Sequence, residues 1–457
     1  MKYFKIFIVF ILLLTGCSPK NQYIGNLQVG YHLYDQDQKV DQKLFEFYYG
    51  YSVNEYINKV VSYFSSNDLE DVLPFDISKD INSLSDTMCT INTYKDITWE
   101  EYFSHQAMSH YAKIESLYEH ALNNHFEIKD EYKETSNQLY QSLQEYCSTN
   151  KIKEEDYLHS MFGLNASSSF IKEQYLKIEI VNQYISYLQS KISEEDIKEY
   201  YQEHPEEINT LTIRYFAFEK SEEGKINALK MASSIKSQDD FKKQAVIYAS
   251  EDYKAYYQTN DLTLRENLTK SSIPEYLHQA LFKEMKINDV KMVEGEESYD
   301  VVMLIDQIKP DYHTVNLATI YLDARSSDSD DLTQEKLDVC YDFAKNLLKE
   351  MKSKGLSVDL FKSYNKTYAD DKTNEGIYYQ VNKQECSSSI ASWAFDQKRK
   401  TGDSEILKST YGYSIVYFIE KGSKEYLVSA EEKLREDIYQ DIIDQYLDTH
   451  QLIIKKV

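Results

Sequence analysis

Glycine and proline are scarce in this chain of 457 residues, with 12 and 5 respectively against 42 tyrosines. So little glycine leaves no phosphate-cradling loop and no dinucleotide fingerprint, since both need several glycines at fixed spacing. Few prolines leave long stretches free to run as helix. Cysteine is sparse too. Apart from Cys17 there are only Cys89, Cys147, Cys340 and Cys386, too few and too scattered for a disulfide framework, and no bridge is predicted. Lys and Arg number 51 against 76 Asp and Glu, a net charge of −25 that argues against nucleic acid or anionic lipid headgroups as the main partner. Metal patterns are missing as well. HExxH does not occur, and His105 and His110, like His120 and His125, stand five apart, off a common helix face. The aspartates of SSDSDDLTQE (residues 326–335) lack the glycine of a calcium loop and read as solvated loop. Glu100 and Glu101 read as a charged helix face, not a glycosidase pair. Neither a metal nor a cofactor is expected.

What is present starts at the N-terminus. Lys2 and Lys5 supply a positive start, residues 7–14 an apolar core too short to span a bilayer, and LLTGC (residues 13–17) a small-residue cleavage box. The stretch resembles a bacterial lipoprotein signal, which implies that residues 1–16 are removed and that the Cys17 thiol carries a diacylglycerol. The alternative, a secretory signal with an incidental Cys17, fits the polar SPKNQ tether less well. Acyl chains at about 0.8 kcal/mol per buried methylene would hold the mature chain at the extracytoplasmic face of a membrane. No second apolar run approaches 18 residues.

Residues 17–52 read as tether and lead-in. Across residues 53–209 the apolar spacing is helical. In residues 97–122, Tyr102, Phe103, Ala107, Tyr111, Ile114, Leu117, Tyr118 and Leu122 recur at three- and four-residue steps, a stripe that reads as core rather than as a binding groove. Gly163 and Asn165 mark a break between two helices, and SEEDIKEYYQEHPEEI (residues 193–208), with its Ser-x-x-Asp cap, reads as a linker helix. The texture then changes. LTIRYFAF (residues 211–218) is strand-like, a helical pattern follows, and YDVVMLIDQI closes a unit over residues 210–310. Residues 311–424 repeat the plan. VNLATIYLDA is the first strand and YGYSIVYFIE the last, Ala280-Leu281-Phe282 matches Trp393-Ala394-Phe395, and Asn288-Asp289 matches Gly402-Asp403. Residues 425–457 read as a last helix with a Ser429-x-x-Glu432 capping box and an apolar stripe whose available partner is the N-terminal helical part. The fold class expected is α+β: a helical body from the N- and C-terminal segments plus two β-α-β modules.

TWEEYF, EDYLHSMFG, ISEEDIKEYY and above all WAFDQKRKTGDSEILKSTYGYSIVYFIE (residues 393–420) carry a resemblance to the parvulin-type (PpiC, rotamase) foldase lipoproteins and SurA-like extracytoplasmic chaperones. The last stretch follows that family's Ala-x-Phe, Gly-Asp/Glu, Gly-Tyr-His-Ile pattern almost throughout. The resemblance implies a fold that cradles a prolyl peptide and lowers a rotation barrier of about 18–20 kcal/mol. It also implies histidines in the first and last strands. Here those places hold Thr319 and Ser414 in the second module and Tyr215 and Asp300 in the first. The family's Asp/Cys position matches Asp371, the catalytic candidate, and less closely Glu251. The apolar pocket position matches Ile390 and Leu277. Thr319, Ile390, Phe395, Ser414, Tyr215 and Leu277 are therefore the candidate peptide-binding residues, and Ser414 is a strand residue, not a nucleophile. The leading expectation is a membrane-anchored chaperone that binds unfolded or nascent secreted polypeptides and has little isomerase activity. The alternatives are an active prolyl isomerase at the second module and a surface lipoprotein with one dedicated partner.

Overall fold

The computed structural model describes residues 27, 29–64, 73–75, 84, 87–325 and 331–457. The leader, Cys17 and most of the acidic stretch at 326–330 lie outside them. The chain divides into two compact units, one through Ile192 joined by Arg435–Val457, the other Ser193–Leu434.

The first unit contains strands β1 (Tyr31–Asp35) and β2 (Gln38–Lys39), helices α1 (Gln42–Phe64), α2 (Trp99–Asn123), α3 (Asp130–Asn150), α4 (Glu154–Phe162) and α5 (Ser168–Gln189), the second half of α14 (Glu425–Thr449), and strand β11 (Leu452–Lys456). Thr98 caps α2 by accepting from the Glu101 N–H at 3.2 Å, and Ser167 caps α5. The stripe on α2 becomes core: Phe103, Ala107, Ile114 and Leu117 are buried, and Trp99 stacks on Phe103 at 5.6 Å. Leu122 is an exception at 44 % exposed, since the helix ends one residue later and the apolar cluster stops short of it. Gly163, at φ 92°, makes the expected break between α4 and α5.

The structure departs from the sequence reading at both ends of this unit. Helix α1 starts at Gln42, inside the stretch read as lead-in, because Phe45, Phe47, Tyr48 and Tyr49 all bury into the core. Helix α14 starts at Glu425, so Ser429 lies inside it and donates to Glu425 Oε1 at 2.9 Å instead of capping. The last strand runs straight into the helix, and the Glu425 N–H is satisfied by the Tyr312 carbonyl at 2.8 Å. Tyr439, Ile442 and Ile443 of α14 pack into the same cluster as Trp99. The chain then adds a strand that went unread: β11 pairs antiparallel with β1, Leu33 opposite Ile454, in a sheet of order β11-β1-β2.

The second unit opens with α6 (Glu194–Glu203) and α7 (Pro205–Ile208). The Ser193–Asp196 capping box is present with both its bonds. The helix read as a linker thus belongs to the second unit: Tyr200 and Ile208 bury with Ala430. Two modules follow. The first comprises β3 (Thr210–Glu219), α8 (Glu222–Ser234), α9 (Gln238–Tyr248), α10 (Glu251–Thr259), β4 (Leu264–Leu268), β5 (Val290–Glu294) and β6 (Ser298–Ile308). The second comprises β7 (His313–Asp323), α11 (Gln334–Lys354), α12 (Val358–Tyr368), β8 (Ile377–Val381), α13 (Ser388–Ala394), β9 (Ser404–Lys408) and β10 (Gly412–Lys424). Their sheets, β4-β3-β6-β5 and β8-β7-β10-β9, have one topology and are antiparallel throughout. The repeat extends to single bonds. The Asn288 N–H donates to the Leu304 carbonyl and Gly402 to that of Phe418, at 2.7 and 3.0 Å. The Asp289 and Asp403 carboxylates accept from the Lys286 and Lys400 N–H groups at 2.8 and 3.0 Å. Asn288 and Gly402 both take positive φ, which the turn requires. Each module therefore has four strands, where sequence suggested two. Among the described residues no helix is long and apolar enough to cross a membrane.

Candidate functional site

Side chains alternate across a strand, so each sheet has two faces. In the second module Ala318, Ile320, Leu322, Ile415 and Tyr417 point to α11 and α12, where they meet Leu347, Met351 and Phe361. On the opposite face Val315, Leu317, Val416 and Phe418 pack with Trp393 and Ala394 of α13, rimmed by Tyr378, Ile390, Phe395 and Leu407. Thr319 and Ser414 fall on that second face, Thr319 opposite Val416 and Ser414 between Tyr321 and Leu407. The structure thus gathers Thr319, Ile390, Phe395 and Ser414 along one face. Ile390 and Phe395 are half-buried, and Ser414 is buried. Phe395 stands edge-on to Tyr312 at 5.7 Å, with the Lys383 ammonium 5.6 Å from its ring.

Asp371 joins this face through a residue that sequence reasoning missed. The Tyr378 hydroxyl donates to the Thr373 carbonyl at 3.4 Å and lies within reach of the Thr319 and Asp371 side chains. Burial, with the Asp371 charge adding to it, raises the Tyr378 pKa against the opposing Thr319 hydroxyl, so the phenol stays a donor at neutral pH. The loop carrying Asp371 is tied to the sheet by Asn365, 1 % exposed, whose amide donates to the Thr319 carbonyl at 3.2 Å and the Asp371 carbonyl at 3.1 Å. Tyr378 reaches the site because β8 pairs with β7, Leu317 opposite Tyr378, past a bulge at Gln380 with φ 54°. The aromatic pair in GIYY was the only hint in the sequence.

Gly376 makes this approach possible. It sits at φ 72°, and a Cβ there would lie 2.3 Å from the Thr319 carbonyl oxygen and 2.5 Å from Asn365 Nδ2. Gly376→Ala is expected to cost about 2–4 kcal/mol in the second module, from left-handed strain plus overpacking. Local hydrogen exchange in β7 and β8 measures it; unchanged protection there would contradict the argument.

In the first module Tyr215 and Asp300 take the places of Thr319 and Ser414: Tyr215 is opposite Val302, and Asp300 lies between Ala217 and Val293. They share a face with Leu211, Ile213, Val302 and Leu304, covered by Ile273, Tyr276, Leu277, Leu281 and Phe282. Leu277 is 1 % exposed and is therefore packed floor, with no open surface to offer a peptide. Tyr276, unread in the sequence, donates its hydroxyl to Asp300 Oδ2, and Tyr215 also bonds to Asp300 and Tyr276. Burial raises the Tyr215 and Tyr276 pKa values, and the nearby Asp300 carboxylate raises both further. Glu251 lies exposed in the first turn of α10, paired with Lys254.

The described cysteines are free; Cys89, Cys147 and Cys340 are buried, and burial pushes the Cys147 and Cys386 thiols up to about 11. Among the described residues no group of His, Cys, Asp and Glu is placed to hold a metal.

Two four-stranded sheets, each with helices on one face and a short cover on the other, are the frame on which these side chains meet. Residues 192–319, from the start of α6 to Thr319 on β7, match the family model described as PPIC-type PPIASE domain. The chain carries a parvulin-type PPIase domain. The match falls on the first module and the opening strand of the second, whereas the motifs that suggested the parvulin type in the sequence lie mainly in the second. No curated protein matches the chain. Among solved structures, a peptidylprolyl isomerase (PrsA) of Bacillus anthracis is 15 % identical, with 58 % of this chain and 95 % of that one covered, at a TM-score of 0.20. PrsA of Bacillus subtilis is 15 % identical over 49 % of this chain and 78 % of its own, at 0.17. A peptidylprolyl isomerase (PrsA) of Bacillus cereus is 12 % identical over 80 % and 90 %, at 0.18. Scores this low establish no shared overall arrangement.

Proposed function

We propose that the chain is a membrane-anchored, extracytoplasmic folding factor that binds unfolded secreted polypeptides, with the second module as a cradle of little isomerase activity. One observation carries the reading. The cradle face keeps an apolar floor of Leu317, Val416, Trp393 and half-buried Ile390, while the polar groups beside it are Thr319, Tyr378, Asp371 and Ser414, with no imidazole. Apolar side chains can hold an extended segment through many small contacts. The lipid on Cys17 supplies the anchor in this reading, and the acidic surface keeps the protein from lying on anionic headgroups.

A second reading is an active prolyl isomerase at the same face. The observation that favours it is the Thr319–Tyr378–Asp371 network, which places a donor and a carboxylate beside the floor. Two assays on the full-length chain in detergent separate the readings. Aggregation of a denatured client is expected to slow at near-stoichiometric ratio, and no effect across several clients would remove the chaperone reading. In a protease-coupled assay on a proline peptide, turnover is expected to stay near the uncatalysed rate. Catalysis that falls at least tenfold in both Tyr378→Phe and Asp371→Ala would establish the second reading instead, since each loses a hydrogen bond to a charged or buried group.

A further inference from the structure

Helix α4 is nine residues long and stands between two left-handed positions, Lys151 at φ 58° and Gly163 at φ 92°. Residues at element ends absorb the φ/ψ change when a segment swings, so α4 has a hinge point at each end. Its last turn lies directly on the backbone of α1: a Cβ on Gly50 would come 1.8 Å from the Met161 carbonyl oxygen. The contact seals an aromatic layer in which Phe47 of α1 stacks on Phe162 at 5.2 Å and meets Phe170 of α5 edge-on at 6.0 Å. All three rings are buried.

One turn before Gly50, Glu46 presses its carboxyl against Gly163, and its Oε2 has no hydrogen-bond partner among the described residues. Gly163 is the C-terminal cap of α4, so the carboxyl faces the end where the last carbonyls of a helix form its negative pole. A neutral carboxyl suits this notch, because a carboxylate there is buried with one oxygen unsatisfied beside like partial charge. Burial raises the Glu46 pKa from 4.5 to about 7, with the Asp41 charge adding to the rise and a Gln42 hydrogen bond and the Lys39 charge opposing it. Of the elements packed around it, α1 also carries Lys43, whose ammonium lies 4.5 Å from the Phe170 ring, and the last turn of α4 carries His159. Helix α5 brings no charge before Lys172, and β1 meets Gln42 through the Tyr31 carbonyl.

We propose that ionisation of Glu46 releases the α4–α5 corner from α1, a pH-operated device that uncovers the Phe47, Phe162 and Phe170 layer as pH rises and closes over it as pH falls. The closed corner keeps a proton that an open, hydrated carboxyl gives up at its ordinary pKa. Opening therefore gains about tenfold per pH unit from 4.5 to about 7 and levels off above. The device does not depend on the folding-factor reading; within that reading, the bared rings add to the apolar surface offered to a client.

Amide exchange on the full-length chain in detergent, corrected for intrinsic rates, tests the device. From pH 5 to pH 8 the amides of residues 160–171 are expected to lose protection on the order of fiftyfold. At pH 8 they should exchange about tenfold or more faster than those of α2, at a rate that about 1 M urea leaves unchanged, because local opening exposes little surface. Glu46→Gln is expected to hold its pH 5 protection at pH 8, and His159→Gln to keep the pH dependence of the unaltered chain. Corner amides that exchange in step with α2 and speed up with it in urea overturn the proposal. So does a loss of protection that persists in Glu46→Gln or vanishes in His159→Gln. If Glu46→Gln does not fold, the urea comparison on the unaltered chain decides.

Discussion

Replacing Glu46 by glutamine is expected to stabilise the first unit by about 3 kcal/mol at pH 8 and by almost nothing at pH 4. Glu46 lies on α1, 8 % exposed, with its carboxyl filling the notch at the α4–α5 break; a Cβ on Gly163 would lie 2.1 Å from Oε2. That oxygen has no hydrogen-bond partner among the described residues. Burial raises the Glu46 pKa from 4.5 to about 7, with the Asp41 charge adding to it and a Gln42 hydrogen bond and the Lys39 charge opposing it. The sign follows from where the proton resides. Between 4.5 and about 7 the folded state keeps a proton that the unfolded state has released, so stability falls as pH rises through that window. At about 1.4 kcal/mol per pH unit the loss is about 3 kcal/mol, and glutamine, which never ionises, escapes it. The chain has two tryptophans, Trp99 in the first unit and Trp393 in the second. In a Trp393→Phe background, Trp99 fluorescence during urea unfolding therefore reports the first unit alone. An equal gain at pH 4 and pH 8 would sink the explanation.

Arg214→Met is expected to destabilise the first module by about 3 kcal/mol. Arg214 projects from β3 to the helical side, with its side chain 3 % exposed. Its guanidinium donates to Asp261 Oδ1 at 2.7 Å and Oδ2 at 3.0 Å, to Thr263 Oγ1 at 2.7 Å and to Gln238 Oε1 at 3.3 Å. Burial would raise the Asp261 pKa, but its bonds to Arg214, Lys242 and Thr263 override that and hold it well below the usual carboxylate range. Removing the cation leaves a partly buried carboxylate and a buried hydroxyl short of a donor. Asp261 keeps a third of its surface and Lys242 at 3.1 Å, which places the cost at the lower end of the range for broken buried pairs. The second module occupies the same ladder position with buried Ala318, so the fold has an apolar solution there. Arg214→Met with Asp261→Asn should accordingly recover much of the loss. The two changes are compared by protection of β3 and β6 amides from exchange; a double variant no better than the single one would contradict the account.

Much of the architecture could be read from residue order. The four inner strands announce themselves as runs of β-branched and aromatic residues, and the matching Asn288-Asp289 and Gly402-Asp403 turns carry the repeat down to the same carboxylate-to-amide bonds. The edge strands β4, β5, β8 and β9 did not announce themselves. Each is only five residues long, with few fully buried positions, and β4 and β8 are interrupted by left-handed Asn267 and Gln380, so no clear alternation survives to be read. Strand β11 was missed for another reason: LIIKK has no strand-forming partner nearby and becomes one only beside Leu33 and Tyr31.

The site divides along the same line. The sequence by itself determined which positions lie on each sheet face, that the modules are copies, and that imidazole is missing from the places where the family resemblance puts it, because alternation, caps and turns act over a few residues. Only the tertiary structure decided that Tyr378 stands beside Thr319 and Asp371, that Leu277 is sealed floor, and that Tyr276 bonds to the buried Asp300 carboxylate. A hydrogen bond between groups far apart in the chain depends on strand register and on which loop closes over which face, and those are set by how the whole sheet buries its apolar surface.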